Sequence, residues 1–249
     1  MVSPILASRQ LVSQNPVGAL KVPRHLFGCH DSVMLIPKSR RHQYVFLLFL
    51  VLFALSCISP PYPRHFILQH IPTIAAIVAL VIVANRLRIS VLSYTLLLLF
   101  LLLHVLGARY SYSYVPYDTW TESLFGVNLT HHFDFTRNHY DRLVHFLFGL
   151  LVAIPAYRFQ LRFLNLRPFW ASVFAIQFIM AMSVVYELAE WLVALTFAPE
   201  WADDFNGQQG DNWDPQKDMS LAALGAVMSM GLVAVVNFGR KVTQLSESR

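Results

Sequence analysis

Charge is scarce in this 249-residue sequence: Lys and Arg number 19, Asp and Glu 14, together 13%. That is about half the roughly 25% of an ordinary soluble domain, and it excludes a conventional soluble globule. Cysteine is scarcer still. Cys29 and Cys57 are too few for a disulfide framework, and Cys57 falls in an apolar run where a thiol behaves as a small hydrophobe. The sequence holds no nucleophile elbow, phosphate loop or His-Glu-x-x-His zinc helix, so those soluble enzyme classes have no foothold. A net charge of +5 invites a nucleic-acid reading. The basic residues, however, flank apolar runs and form no patch interleaved with aromatics, so no nucleic-acid partner is expected.

What the sequence does have is hydrocarbon. Hydrophobic residues make up 56%, the mean hydropathy is +0.50, and apolar runs are long enough to cross roughly 30 Å of bilayer core. The runs are 44–59, about 66–84, 89–107, 143–159, 169–197 and 219–238. They predict an all-α fold, a polytopic membrane bundle of six transmembrane helices within residues 44–240. A flexible basic tail, 1–43, and a short C-terminal tail, 241–249, flank it. The first run lacks a small-residue cleavage site and is followed by Pro60, Pro61 and Pro63, so it is expected to stay as an anchor. Met34 opens a complete N-terminus with its own basic flank, Lys38, Arg40 and Arg41, and is the expected natural start.

Cytoplasmic loops carry the Lys/Arg excess. With these spans, 14 of the 19 basic residues fall on one side and five, Arg64, Arg109, Arg137, Arg142 and Lys217, on the other. Both termini are therefore expected in the cytoplasm. Acids do the reverse: 12 of 14 lie between Asp118 and Asp218, around the outward loops.

Ionisable residues inside spans are functional candidates, because a charge in hydrocarbon costs at least about 2.5 kcal/mol. Asp141 and His145 stand four apart at the outer start of the fourth span, and so share a helix face. Glu187 and Glu190 stand three apart in the outer half of the fifth. Asp211, Asp214 and Asp218 lead into the sixth, and His104 lies one turn from the outer end of the third. Topology alone puts these groups at similar depth.

Structural explanations compete for some of them. Asp214 before Pro215 suits a helix N-cap, and Asp218 the positive end of the helix dipole. Asp141 beside Arg142 suits interfacial anchoring, and His104 suits packing. Tyr110, Tyr112, Tyr114, Tyr117 and Trp120 suit an interfacial aromatic belt. Glu187 and Glu190 resist such readings, since two acids on one apolar face repel unless a cation, a proton or a facing base stabilises them. The run 207–214 has the look of a calcium loop but lacks glycine at position six and a closing glutamate.

Four ordered motifs carry a resemblance: Tyr112-x-Tyr114-Val-Pro116; Asn138-His-Tyr140-Asp141-Arg142-x-x-His145-Phe146; Tyr186-Glu187-x-x-Glu190-Trp191; and Gly210-Asp211-x-Trp213-Asp214-x-Gln216-x-Asp218-Met219. Together they resemble the YjdF-like family of bacterial inner-membrane proteins, across roughly residues 44–240. The last helices more loosely resemble the VanZ-like envelope-associated group, with Ala222 where that group often carries a polar residue. The resemblance implies a multi-pass protein of the bacterial inner membrane, embedded in the lipid bilayer, and no assigned activity.

The residues themselves point to an outward-facing site. Asp141, His145, Glu187, Asp211 and Asp218 are the expected ligands of a divalent metal, Zn, Mn, Fe or Mg. Glu190 is the expected general base, with His145 the second catalytic candidate. Such a site would serve a metal-dependent hydrolase or transferase acting on lipid or cell-envelope substrates. The alternatives are a proton- or cation-coupled transporter or ion-binding protein, and a non-catalytic envelope accessory.

Overall fold

The computed structural model describes residues 36–197 and 207–247. Met34 and the tail before residue 36 lie outside the described residues, as do Glu200, Asp203 and Asp204. Among the described residues, regular structure is entirely helical: α1 (Arg40–Ser56), α2 (Pro63–Leu87), α3 (Val91–Arg109), α4 (Tyr117–Phe125), α5 (Leu129–His132), α6 (Tyr140–Phe163), α7 (Pro168–Phe197) and α8 (Asp214–Glu247).

Among the described residues, five helices, α2, α3, α6, α7 and α8, are long and apolar enough to cross a membrane. The sixth expected span, α1, has 17 residues, or about 25 Å at about 1.5 Å per residue, against roughly 30 Å of hydrocarbon. Its buried Phe46 and Phe49 pack with Tyr94 and Leu98 of α3.

Local chemistry sets the ends. Pro63 occupies the first turn of α2, where its missing N–H costs nothing. The Ser90 side chain caps α3 by accepting from the Ser93 N–H at 3.1 Å. Arg88, in the left-handed region at φ 48°, ends α2. The connection from α2 to α3 is therefore 88–90, shifted from the 85–88 that hydropathy suggests. Asn85 stays helical because its side chain has a tertiary task. It accepts from the Lys38 N–H at 2.8 Å and donates to the Ile36 carbonyl at 3.0 Å.

At the centre, α6 packs against α3, α7 and α8. Hydrophobic burial does not drive helices together in lipid, so close packing of small residues has to. A Cβ at Gly149 would lie 1.9 Å from the Ala222 carbonyl oxygen, and one at Gly225 would lie 2.1 Å from that of Phe146. The backbones of α6 and α8 thus touch, flanked by the fully buried Ala153, Ala222 and Ala226. This contact sets the register that brings the start of α6 beside the start of α8.

Candidate functional site

The second and sixth residues of α6 are Asp141 and His145, one turn apart on a single face. Across the glycine contact, α8 presents Asp218 in its second turn. Asp141, His145 and Asp218 are all buried, and one ligand atom from each lies within 4.8 Å of the others. From α7, Glu187 completes the group. His145 Nε2 stands 3.4 Å from Glu187 Oε1 and 3.6 Å from Asp141 Oδ1. Two oxygens there, Glu187 Oε1 and Asp218 Oδ1, are buried and make no hydrogen bond. Gly207 closes the cluster from the loop before α8. Its φ is +71°, and a Cβ there would meet Asp141 Oδ2 at 2.8 Å, so both conformation and space require glycine.

Glu190 takes a different position. It lies one turn beyond Glu187 and shares a side-chain hydrogen bond with Tyr186. Tyr186 is in turn bonded to Tyr112, and the Tyr112 hydroxyl meets His104 Nδ1. His104 Nε2 reaches Thr73 Oγ1 at 2.7 Å. A polar chain therefore runs from α7 through the connection after α3 to α2. His104 packs inside it, bonded to Tyr112 and Thr73. Tyr112 departs from the belt expected of its neighbours: it is buried, because the hydroxyl has partners only inside the bundle. Tyr114 is exposed and stacks on Tyr62, with ring centroids 4.9 Å apart.

Asp211, expected among the ligands, is instead held by cations. Arg142 Nη2 donates to its Oδ2 at 2.5 Å and Lys217 Nζ at 2.6 Å. The Lys217 hydrogen bond, followed by the Trp213 N–H, lowers its pKa to about 2. Asp214 is the first residue of α8 and is almost fully buried. Both its oxygens accept from Arg137, Oδ1 from Nη1 and Oδ2 from Nη2 at 3.1 Å, with Arg142 Nη2 a further 3.4 Å contact. Arg142 thus serves Asp211 and Asp214, where the sequence paired it with Asp141 at an interface.

Arg137 was not singled out by the sequence, yet it organises this end of the bundle. Besides Asp214 it donates to the carbonyls of Gly207 at 2.5 Å and Gln208 at 2.9 Å. Next to it, Asn138 and Gln209 exchange hydrogen bonds of 2.9 and 3.1 Å. His139 accepts from Arg142 at Nε2, 2.9 Å, and donates from Nδ1 to the Arg137 carbonyl, 3.0 Å. That pattern needs a neutral ring, and burial, aided by the two guanidiniums, lowers its pKa accordingly. One signal was available in the sequence. Arg137, Arg142 and Lys217 are three of the five basic residues on the minority side, and all three pair with acids.

The family model described as "Predicted membrane protein (DUF2238)" matches residues 41–238. The inner membrane protein YjdF of Escherichia coli (strain K12) is 35% identical over 164 residues, covering 66% of this chain and 74% of that protein. No solved structure matches the chain.

Proposed function

The chain belongs to the DUF2238 family of predicted membrane proteins, and we propose that Asp141, His145, Glu187 and Asp218 hold a divalent cation in it. With that cation the protein acts as a hydrolase or transferase on lipid or cell-envelope substrates. The observation that carries this reading is the pair of buried carboxylate oxygens without hydrogen bonds, Glu187 Oε1 and Asp218 Oδ1, beside a third carboxylate and an imidazole. Bare carboxylates are too costly to bury, and a cation satisfies them together.

Spacing supports the fit. Bonds of about 2.0–2.2 Å put ligand atoms about 3–4 Å apart. The 3.4 and 3.6 Å separations around His145 already match, and the 4.8 Å triad closes with roughly 1 Å of side-chain movement. Carboxylates with one imidazole suit Zn²⁺, Mn²⁺ or Fe²⁺, and Mg²⁺ if His145 stands back. Held by Asp141, His145, Glu187 and Asp218, such an ion would supply Lewis-acid chemistry toward a phosphoryl or acyl oxygen and toward water. Glu190, its carboxyl oriented by Tyr186, would be the base that accepts a proton there. Asp211 is left out of the ligand set, its oxygens being engaged by Arg142 and Lys217.

The test is metal analysis of detergent-purified protein. Wild type should carry close to one equivalent of a divalent metal, and Glu187→Ala and Asp218→Asn should each lower affinity at least tenfold without changing gel-filtration behaviour. Wild-type protein that is folded and binds none of the four metals would overturn the reading. Proton- or cation-coupled transport is the second reading, favoured by the polar chain from Glu190 to Thr73. Metal-independent proton flux in proteoliposomes, lost in Tyr112→Phe, would select it.

The same reading includes α1 as a sixth span, with both termini in the cytoplasm of a bacterial inner membrane. Its support is the fourteen-to-five charge split and the way α1 is tied along α3. His42 meets the Ile89 carbonyl at 3.2 Å near one end, and Arg109 donates to the Ile58 carbonyl at 2.8 Å near the other. Reporter fusions after Arg88, Arg167 and Arg240 should read cytoplasmic, and those near Glu122 and Gly207 periplasmic. A robust reversal at any of them removes the six-span topology.

A further inference from the structure

Beside the cluster lies a cavity of about 380 Å³, within the range of small-ligand sites. Asp141 and His145 line it beside the polar residues Thr73, His104, Tyr112 and Tyr186, and Phe100, Val144 and Phe148 contribute apolar wall. Its exposed lining residues fall on two helices, Pro72 on α2 and Met182, Val185 and Ala189 on α7. Those helices are not packed together: α2 rests on α3, and α7 on α6 and α8. The mouth is therefore a slit between α2 and α7.

The depth of the slit selects what can enter. Pro72 lies nine residues inside α2 and Val185 twelve residues before the end of α7, about 13 and 18 Å from those helix ends. At that depth the mouth opens on lipid chains rather than water or headgroups. The lining adds a chemical requirement. Ser183 is 1% exposed, lines the cavity and makes no hydrogen bond through Oγ. Helical hydroxyls ordinarily bond to the carbonyl four residues back, as Ser172, Thr196 and Ser220 do here at 3.1, 2.7 and 2.7 Å. Ser183 instead keeps a donor in an apolar wall, one turn or about 6 Å along α7 from Glu187. A turn is comparable to the glycerol bridge between a phosphate and an acyl ester.

We propose that the slit binds an acyl chain of a phosphate-headed lipid entering sideways from the bilayer, with Ser183 Oγ donating to the chain's ester carbonyl. The phosphate reaches the cation at Asp141, His145 and Asp218, and this clause alone rests on the metal reading above. An apolar chain fills the cavity, the ester satisfies the orphaned hydroxyl, and the anionic head meets the cation.

Native mass spectrometry of the full chain in detergent, with manganese and phosphatidylglycerol added, tests the proposal. Wild type should retain the lipid in the presence of equimolar inorganic phosphate. Ala76→Trp and Met182→Trp fill the slit from its two walls and should weaken retention at least tenfold, with metal content unchanged. Leu195→Trp, on the exposed surface of α7 outside the slit, should have no effect. Ser183→Ala removes a single oxygen and should weaken retention about threefold or more. Should a tryptophan variant misfold, as judged by elution, the serine variant decides. Retention within twofold of wild type in folded slit variants, or displacement by inorganic phosphate, overturns the proposal. Slit-dependent retention by a protein that binds no metal would sink the metal reading while leaving the slit in place.

Discussion

Replacing Arg137 with Met should destabilise the folded protein by about 3 kcal/mol, near the lower end of the roughly 3–5 kcal/mol typical when one partner of a buried ion pair is removed. The cost comes from Asp214. Its side chain is 1% exposed and that of Arg137 6%, so the carboxylate left behind has no water to turn to. Arg142 Nη2, 3.4 Å from Asp214 Oδ1, remains and keeps the effect from being larger. The loop should suffer with it, because the same guanidinium holds the Gly207 and Gln208 carbonyls and, through Gly207, the wall against Asp141. Thermal unfolding in detergent measures the loss. A double variant, Arg137→Met with Asp214→Leu, supplies the control. Removing both charges leaves no unpaired ion, so the double variant should recover much of the stability. Equal stability of the single and double variants would show that desolvated charge is not the cause.

Gly149→Leu should be at least as damaging and should also dismantle the carboxylate cluster. Overpacking a core typically costs about 1–3 kcal/mol when neighbouring side chains can yield. Here the obstacle is backbone. The new Cβ would sit 1.9 Å from the Ala222 carbonyl oxygen and 2.8 Å from the Ala226 nitrogen, and α8 must move away as a body. Asp218 moves with it, away from Asp141 and His145, so the metal affinity proposed above should fall along with thermal stability. Gly231→Ala, on α8, is the contrast. Nothing lies within 4 Å of its added Cβ, and exchanging a helical glycine for alanine gains roughly 0.5–1 kcal/mol. Neutral behaviour of Gly149→Leu would mean that α6 and α8 are not in backbone contact.

The sequence by itself determined the solvent, the helical architecture and the end of the bundle at which ionisable groups collect. These follow from hydropathy and periodicity, both local: a span needs a run of apolar residues, and a pair three or four apart shares a face wherever the helix goes. The shared face of Asp141 and His145 was legible for that reason, whereas Glu190, one turn from Glu187, is tied to Tyr186. Only the tertiary structure decided which acids meet. Asp211 and Asp218 belong to one acidic run, yet Asp211 precedes α8 and turns to Arg142 and Lys217, whereas Asp218 is carried by the helix into the cluster. Arg137 and Asp214 are 77 residues apart in sequence, and no periodicity relates them. Tyr112 looked like its aromatic neighbours until its hydroxyl found His104. The glycine contact between α6 and α8 and the slit between α2 and α7 depend on how helices rotate and which neighbours they take. A helix's own sequence fixes its faces, but the partner for each face is settled only by packing the others around it.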